Sequence, residues 1–285
     1  MKKILLATTM LVGTASWAAA DISFSGSAHA GVASDAGGDF DVYSSAGLDV
    51  TMSGASDNGL EFGATFGASV GHSYAFADDD GFADEDGTFG DPEVYISGSF
   101  GRVAFNHNGY GFFHNDDSDM DQADVDYSGT FGGFSVGLRA DVQDVNDVVI
   151  DVTENPNDLS ATLGYTMAGV GLTANVDGTD SMEWDVGATY TMGAFTGGVT
   201  YNHDSVAEIT GTYEANGMMA TASFDTDSAW SVGGSYTMNG MSLAASTDDA
   251  SAWEVTAGYD LGGGLSLEAG YNYTNDAFVG AAMSF

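Results

Sequence analysis

Forty-two Asp and Glu side chains stand against two Lys and two Arg in 285 residues. The acids are not placed at random. Asp49, Glu61, Glu93, Asp141, Asp177, Glu183, Asp185, Asp225, Glu254, Asp260 and Glu268 fall in phase with Gly, Ser, Thr and Asn and out of phase with apolar neighbours, as do Arg102 and Arg139. Carboxylates gathered on one wetted face hold a negative potential, which concentrates cations and repels anions over a screening length of about 8–10 Å. A second group lies in His107–Asp124. Gly109-Tyr110-Gly111-Phe112-Phe113 supplies aromatic mass there, and Asp116, Asp117, Asp119, Asp121 and Asp124 supply charge. A segment so built can anchor its rings on a wall and turn its acids toward a path, or stand outward in solvent. A third group, Asp78–Asp80 with Asp84-Glu85-Asp86, mixes carboxylates with glycines, and Asp79, Asp84 and Asp86 are its candidate calcium ligands. Its spacing misses the EF-hand pattern, because neither Gly81 nor Gly87 has an Asp five residues earlier. The expectation is an acidic rim that attracts divalent cations loosely, with no resident cofactor.

Other chemistry is excluded or weakly supported. Without cysteine there is no disulfide, thiolate nucleophile or Cys-based zinc site. Four basic residues cannot neutralise a nucleic-acid backbone. Gly67-Ala68-Ser69-Val70-Gly71 and Gly133-Phe134-Ser135-Val136-Gly137 match G-x-S-x-G, yet neither leads from a strand into a helix as a nucleophile elbow requires. His29, His72, His107, His114 and His203 are scattered. An Asp–His site at one rim would need His107 or His114 to meet a loop carboxylate.

The elements that position these groups are strands. Leu265, Leu267, Ala269, Tyr271 and Tyr273 alternate with Ser266, Glu268, Gly270 and Asn272; Leu159 to Met167, Leu60 to Val70 and Trp253 to Tyr259 alternate in the same way. Tyrosines 165, 190, 213, 236 and 259 precede Gly-containing turns at intervals of 25, 23, 23 and 23 residues, about one hairpin each. Short turns therefore collect at one rim, from Gly54–Gly59 to Gly262-Gly263. The other rim is read as carrying long acidic connections at Ala75–Asp91, His107–Asp124 and Asp144–Asn157. Residues 1–20 have a basic start (Lys2, Lys3), an apolar stretch and Ala18-Ala19-Ala20, the pattern of a signal peptide cut after Ala20. The remaining 21–285 keeps two arginines against 42 acids, a formal charge of −40. No later run is long and apolar enough for a membrane helix. A soluble sandwich or solenoid fits less well, because a polar face recurs in nearly every hairpin and the last strand alternates apolar through to Phe285. The pattern predicts an all-β fold, an antiparallel transmembrane β-barrel. Eight short turns plus a strand at each terminus give 18 strands; 16 fits if the hairpin around Ala207–Asp225 is irregular.

Met52-Ser53-Gly54 with Ser56-Asp57-Asn58-Gly59-Leu60-Glu61-Phe62-Gly63-Ala64 resembles a hairpin of the Gram-negative general-diffusion porins of alphaproteobacterial, Rhodobacter-like type. Val94 to Val103, Tyr259-Asp260-Leu261-Gly262-Gly263-Gly264 and terminal Phe285 are similar to further blocks of that family, in the same order. The resemblance implies a 16-stranded barrel in the cell outer membrane, a homotrimer, and a third loop folded into the lumen, here His107–Asp124. The chain departs from that pattern in its shortness, its strand count and its lack of an arginine cluster, so trimer and monomer both stay open.

Together these readings give an outer-membrane, lipid-embedded passive channel for small hydrophilic solutes and cations. Arg102, Arg139, Glu61, Glu93 and Asp141, with the five aspartates of His107–Asp124, are its candidate lining and constriction. A substrate-selective channel for a cationic nutrient is the alternative, followed by an enzyme or adhesin on a barrel scaffold.

Overall fold

A strand with one apolar and one small polar face can be satisfied without a helix if its sheet closes around water and turns its apolar face to lipid. A computed structural model describes residues 21–34, 38–76, 82–111, 122–140, 159–178 and 182–285, the side chains at 86, 88, 107–111 and 122 excepted. All regular structure among the described residues is β-strand. The meander begins with β1 (Asp21–Ser34), β2 (Asp41–Ala55), β3 (Glu61–Tyr74), β4 (Phe82–Phe89), β5 (Glu93–Gly98) and β6 (Gly101–Gly111). It continues through β7 (Gln122–Phe131), β8 (Phe134–Ala140), β9 (Leu159–Met167), β10 (Val170–Asp177), β11 (Glu183–Met192) and β12 (Phe195–Asn202). It ends with β13 (Ala207–Ala215), β14 (Met218–Asp225), β15 (Trp230–Met238), β16 (Met241–Asp248), β17 (Trp253–Gly262), β18 (Leu265–Asn272) and β19 (Ala277–Ser284).

Neighbours pair antiparallel, and β19 returns to β1 from Ala277↔Ser34 to Ser284↔Ser27, which closes the barrel. β4 pairs with the outer half of β3 and β5 with its other half, so the two share one barrel position, interrupted at Gly90-Asp91-Pro92. The 19 segments therefore make 18 barrel strands. The count from short turns holds, and the 16 implied by the family resemblance does not. The hairpin that would have had to be irregular, β13–β14, pairs without a break from Glu208↔Asp225 to Ala215↔Met218.

At the short-turn rim, Ala168-Gly169, Asn216-Gly217 and Asn239-Gly240 carry positive φ at both positions, the geometry of a two-residue hairpin turn whose twist matches its strands. The opposite rim differs from the expectation. Segment Ala75–Asp91 is not one loop, because Phe82–Phe89 is strand, and both ends of His107–Asp124 belong to β6 and β7. From β12 onward this rim, too, has tight turns, beginning at Asn202, Asp225, Asp248 and Asn272. In each, the first residue's side-chain Oδ1 accepts the N–H four residues on, at 2.8–2.9 Å, and Ser205, Ser228, Ser251 or Asn275 takes positive φ. Segment Asp144–Asn157 lies outside the described residues.

Two aromatic girdles bound the outer face. Near the short turns lie Phe134 with Tyr165 (ring centroids 4.4 Å apart) and Phe195 with Tyr213 (4.8 Å). Near the other rim lie Trp184 with Tyr201 (5.9 Å) and Trp253 with Tyr271 (5.6 Å). Between them Val186, Val199, Val232, Leu243, Val255 and Leu267 are exposed on the outside. Strands of 8–10 residues tilted by about 40° rise about 20–25 Å, the height of an outer-membrane apolar band.

Candidate functional site

The candidate site is the inner wall, and the alternation that built the barrel also populates it. In β5 to β19 the described Asp, Glu and Arg within strands lie on the inward register, mostly opposite Gly, Ser, Thr, Asn or another charged residue, with Glu214 against Met219 an exception. Thr, Ser and Gly interlock between them, as where Thr173 abuts Gly187 and Thr210 abuts Gly198. Small side chains leave the lumen open, and acids wet it.

The two arginines are brought together. The Gly132-Gly133 turn sets the register of β7 against β8 so that Arg139 faces Asp126, with Nε donating to Oδ2 at 3.0 Å. Arg102, one strand away, donates to Glu93 and lays its guanidinium over the Tyr95 ring, 4.4 Å from the centroid. Both arginines, Asp126 and Ser128 border the same recess of the wall. Each cation therefore faces a carboxylate, and neither stands as a bare positive charge on the pathway. Asp126 was missed in the sequence; the two-residue turn at Gly132-Gly133 carried the signal, since it pairs residues equidistant from it.

The remaining expected residues are spread over the wall. Glu61 sits beside the first short turn, opposite Ser97. Asp49 borders a recess with Ser27 and Gly67. Asp185 accepts from the Asn175 amide at 2.9 and 3.1 Å, and Glu183 approaches His203. Asp177 is fully buried, and Asp124 is buried at the start of β7. Asp225 and Asp260 stand on the same inward register at the ends of β14 and β17. Their carboxylates accept backbone N–H groups of the adjacent turns, because a chain reversal leaves donors that a nearby Asp satisfies. Asp116, Asp117, Asp119, Asp121 and Asp141 lie outside the described residues. So do Asp79 and the side chain of Asp86, while Asp84 lies on β4 against His72. Among the described residues no three His, Asp or Glu side chains gather as a metal site.

The G-x-S-x-G matches lie in β3 and at the start of β8, and in each case the strand continues past the match. The arrangement offers a polar, charged inner wall inside a closed barrel.

A family model described as Gram-negative porin matches residues 7–276. Among solved structures, a triple mutant of Rhodopseudomonas blastica porin is 17% identical, with a TM-score of 0.55, covering 93% of this chain and all of that one. A second variant of the same porin is 16% identical, with a TM-score of 0.54 and the same coverage. At such identity the likeness is one of fold. No curated protein matches. A closed antiparallel barrel, two aromatic girdles, an acidic inner wall and a family match over most of its length converge: this chain belongs to the Gram-negative porin family and forms a channel in the outer membrane.

Proposed function

We propose that this porin passes small hydrophilic solutes by passive diffusion and prefers cations to anions. One observation carries the reading. The inward acids of β5–β19 outnumber the two inward arginines, and each arginine is already matched by a carboxylate. An aqueous lumen lined in this way holds a negative potential, which favours cation entry and weakens with salt. Glu61, Glu93, Asp126 and Asp185 are assigned to the lining that sets it. The mature chain is read as beginning at Asp21, the first residue of β1, and N-terminal sequencing of the outer-membrane form tests that assignment.

The test of selectivity is the reversal potential of the purified protein in a planar bilayer under a KCl gradient. A potential displaced toward the K⁺ equilibrium value, more so in dilute salt, agrees with the proposal. Displacement toward Cl⁻ refutes the cation preference while leaving a channel; absence of conductance refutes both.

A further inference from the structure

The inner wall carries an aromatic patch for which neither barrel closure nor a general cation preference has any need. Tyr43 on β2 is 7% exposed and lies flat against the wall. It has room because Gly31 faces it on β1 and Gly280 lies beyond on β19; a Cβ at either position would collide with its phenol. Tyr74 stacks on Tyr43, with centroids 5.7 Å apart and planes at 29°. Phe278 lies 6.1 Å from Tyr74 and 4.9 Å from Phe76, above Gly270, where a Cβ would strike the Phe278 ring.

Tyr74 belongs to this patch against the alternation of its own strand. Tyr74 closes β3 with the parity of Val70, which faces outward, yet its ring stacks on Tyr43 and borders the recess beside Ser73. Two carboxylates complete the surround. Glu268 sits opposite Gly280, next to Tyr43, and Glu85 on β4 accepts a hydrogen bond from Ser69. Rings and carboxylates together line a recess of about 450 Å³, the size of a small-solute site.

Physical chemistry narrows the occupant. A hydrated potassium ion gains little from an aromatic face, and an anion meets two carboxylates. A neutral solute can stack but leaves the charges unused. An ammonium group on an apolar body uses both, by cation–π attraction to the rings and by pairing with Glu85 or Glu268. We propose that this recess binds small organic cations, primary or quaternary ammonium groups carrying an apolar or aromatic body, during their passage. The proposal deepens the cation-preferring reading and rests on it for the sign of the solute.

Single-channel recording in KCl with added benzylammonium tests it, with benzyl alcohol and phenylacetate as probes of the same body without the positive charge. The expected result is a current reduction that saturates with benzylammonium and is at least about tenfold weaker for the other two. Glu268→Gln and Tyr74→Leu should each raise the half-blocking concentration about three- to tenfold. If Tyr74→Leu does not fold, Glu85→Gln supplies the second variant, with the same expectation. A channel that prefers K⁺ but responds to benzylammonium without saturation overturns the site and leaves the selectivity standing. Equal block by benzyl alcohol, or block unchanged in Glu268→Gln, overturns the assignment to a cation. Saturating block in a channel without K⁺ preference supports the site and refutes the general preference alone.

Discussion

The Arg139–Asp126 pair gives the most direct test of how the wall sets selectivity. As an ion pair it is neutral at a distance; Arg139→Ala leaves Asp126 as a single negative charge on the inner wall. A permeant ion passing about 7 Å from that charge, in water of dielectric about 80, feels about 0.6 kcal/mol before screening. A Debye length of about 9 Å reduces this to about 0.3 kcal/mol. Against a thermal energy of about 0.6 kcal/mol, local cation occupancy rises about 1.6-fold and anion occupancy falls by the same factor. The K⁺/Cl⁻ permeability ratio should then rise about 2.5-fold, and about sixfold when Arg102→Ala is added, since Arg102 is likewise matched by Glu93. Asp126→Asn should lower the ratio by a similar factor, because it exposes Arg139 instead. Reversal potentials in a tenfold KCl gradient with a dilute side near 0.1 M read all three variants, and the differences should shrink toward 1 M. If Arg139→Ala and Asp126→Asn move the potential in the same direction, or neither moves it, the pair does not face the ion path and the assigned lining is wrong.

Other consequences follow from the same geometry. Val199, 46% exposed on the outer face, and Thr200, its inward neighbour, should respond oppositely to arginine. Val199→Arg should cost about 2–4 kcal/mol of folding free energy in lipid vesicles, whereas Thr200→Arg should barely change stability and should lower cation preference. At the tight turns, Asp248→Ala removes the acceptor of the Ala252 N–H and should destabilise the barrel by about 1 kcal/mol in urea titrations, with conductance unchanged. Gly217 has φ +77° and packs against the Thr237 carbonyl, so Gly217→Ala should cost at least about 1 kcal/mol in the same assay.

The outline of the barrel was legible because its physics is local. Side chains of a strand alternate by covalent geometry, so Leu265 to Tyr273 announces a two-faced strand whatever its surroundings, and Asn216-Gly217 announces a tight reversal because both residues tolerate positive φ. Counting those reversals gave 18 strands, and it outweighed the family expectation because each reversal is a separate local fact. The other rim is less legible, because acidic composition does not separate a loop from a strand: Ala75–Asp91 contains the strand Phe82–Phe89. The tight turns beginning at Asn202, Asp225, Asp248 and Asn272 recur at spacings of 23, 23 and 24 residues. In each of them an Asp or Asn side chain accepts a backbone N–H, which stabilises the reversal.

The candidate site divides along the same line. That acids face inward was set by sequence phase alone, since lipid cannot solvate a carboxylate and water can. Which acid meets which arginine is decided within two hairpins: Asp126 faces Arg139 directly across the Gly132-Gly133 turn, whereas Glu93 is not the register partner of Arg102 and meets it only through side-chain placement. The aromatic recess lay further out of reach. It joins β1 to β19, far apart in the chain, and it includes Tyr74, whose place in strand alternation alone would put it on the opposite face from Tyr43. Alternation is decided within a few residues and can be read from them; proximity across a closed sheet is decided by the shear and closure of every strand at once.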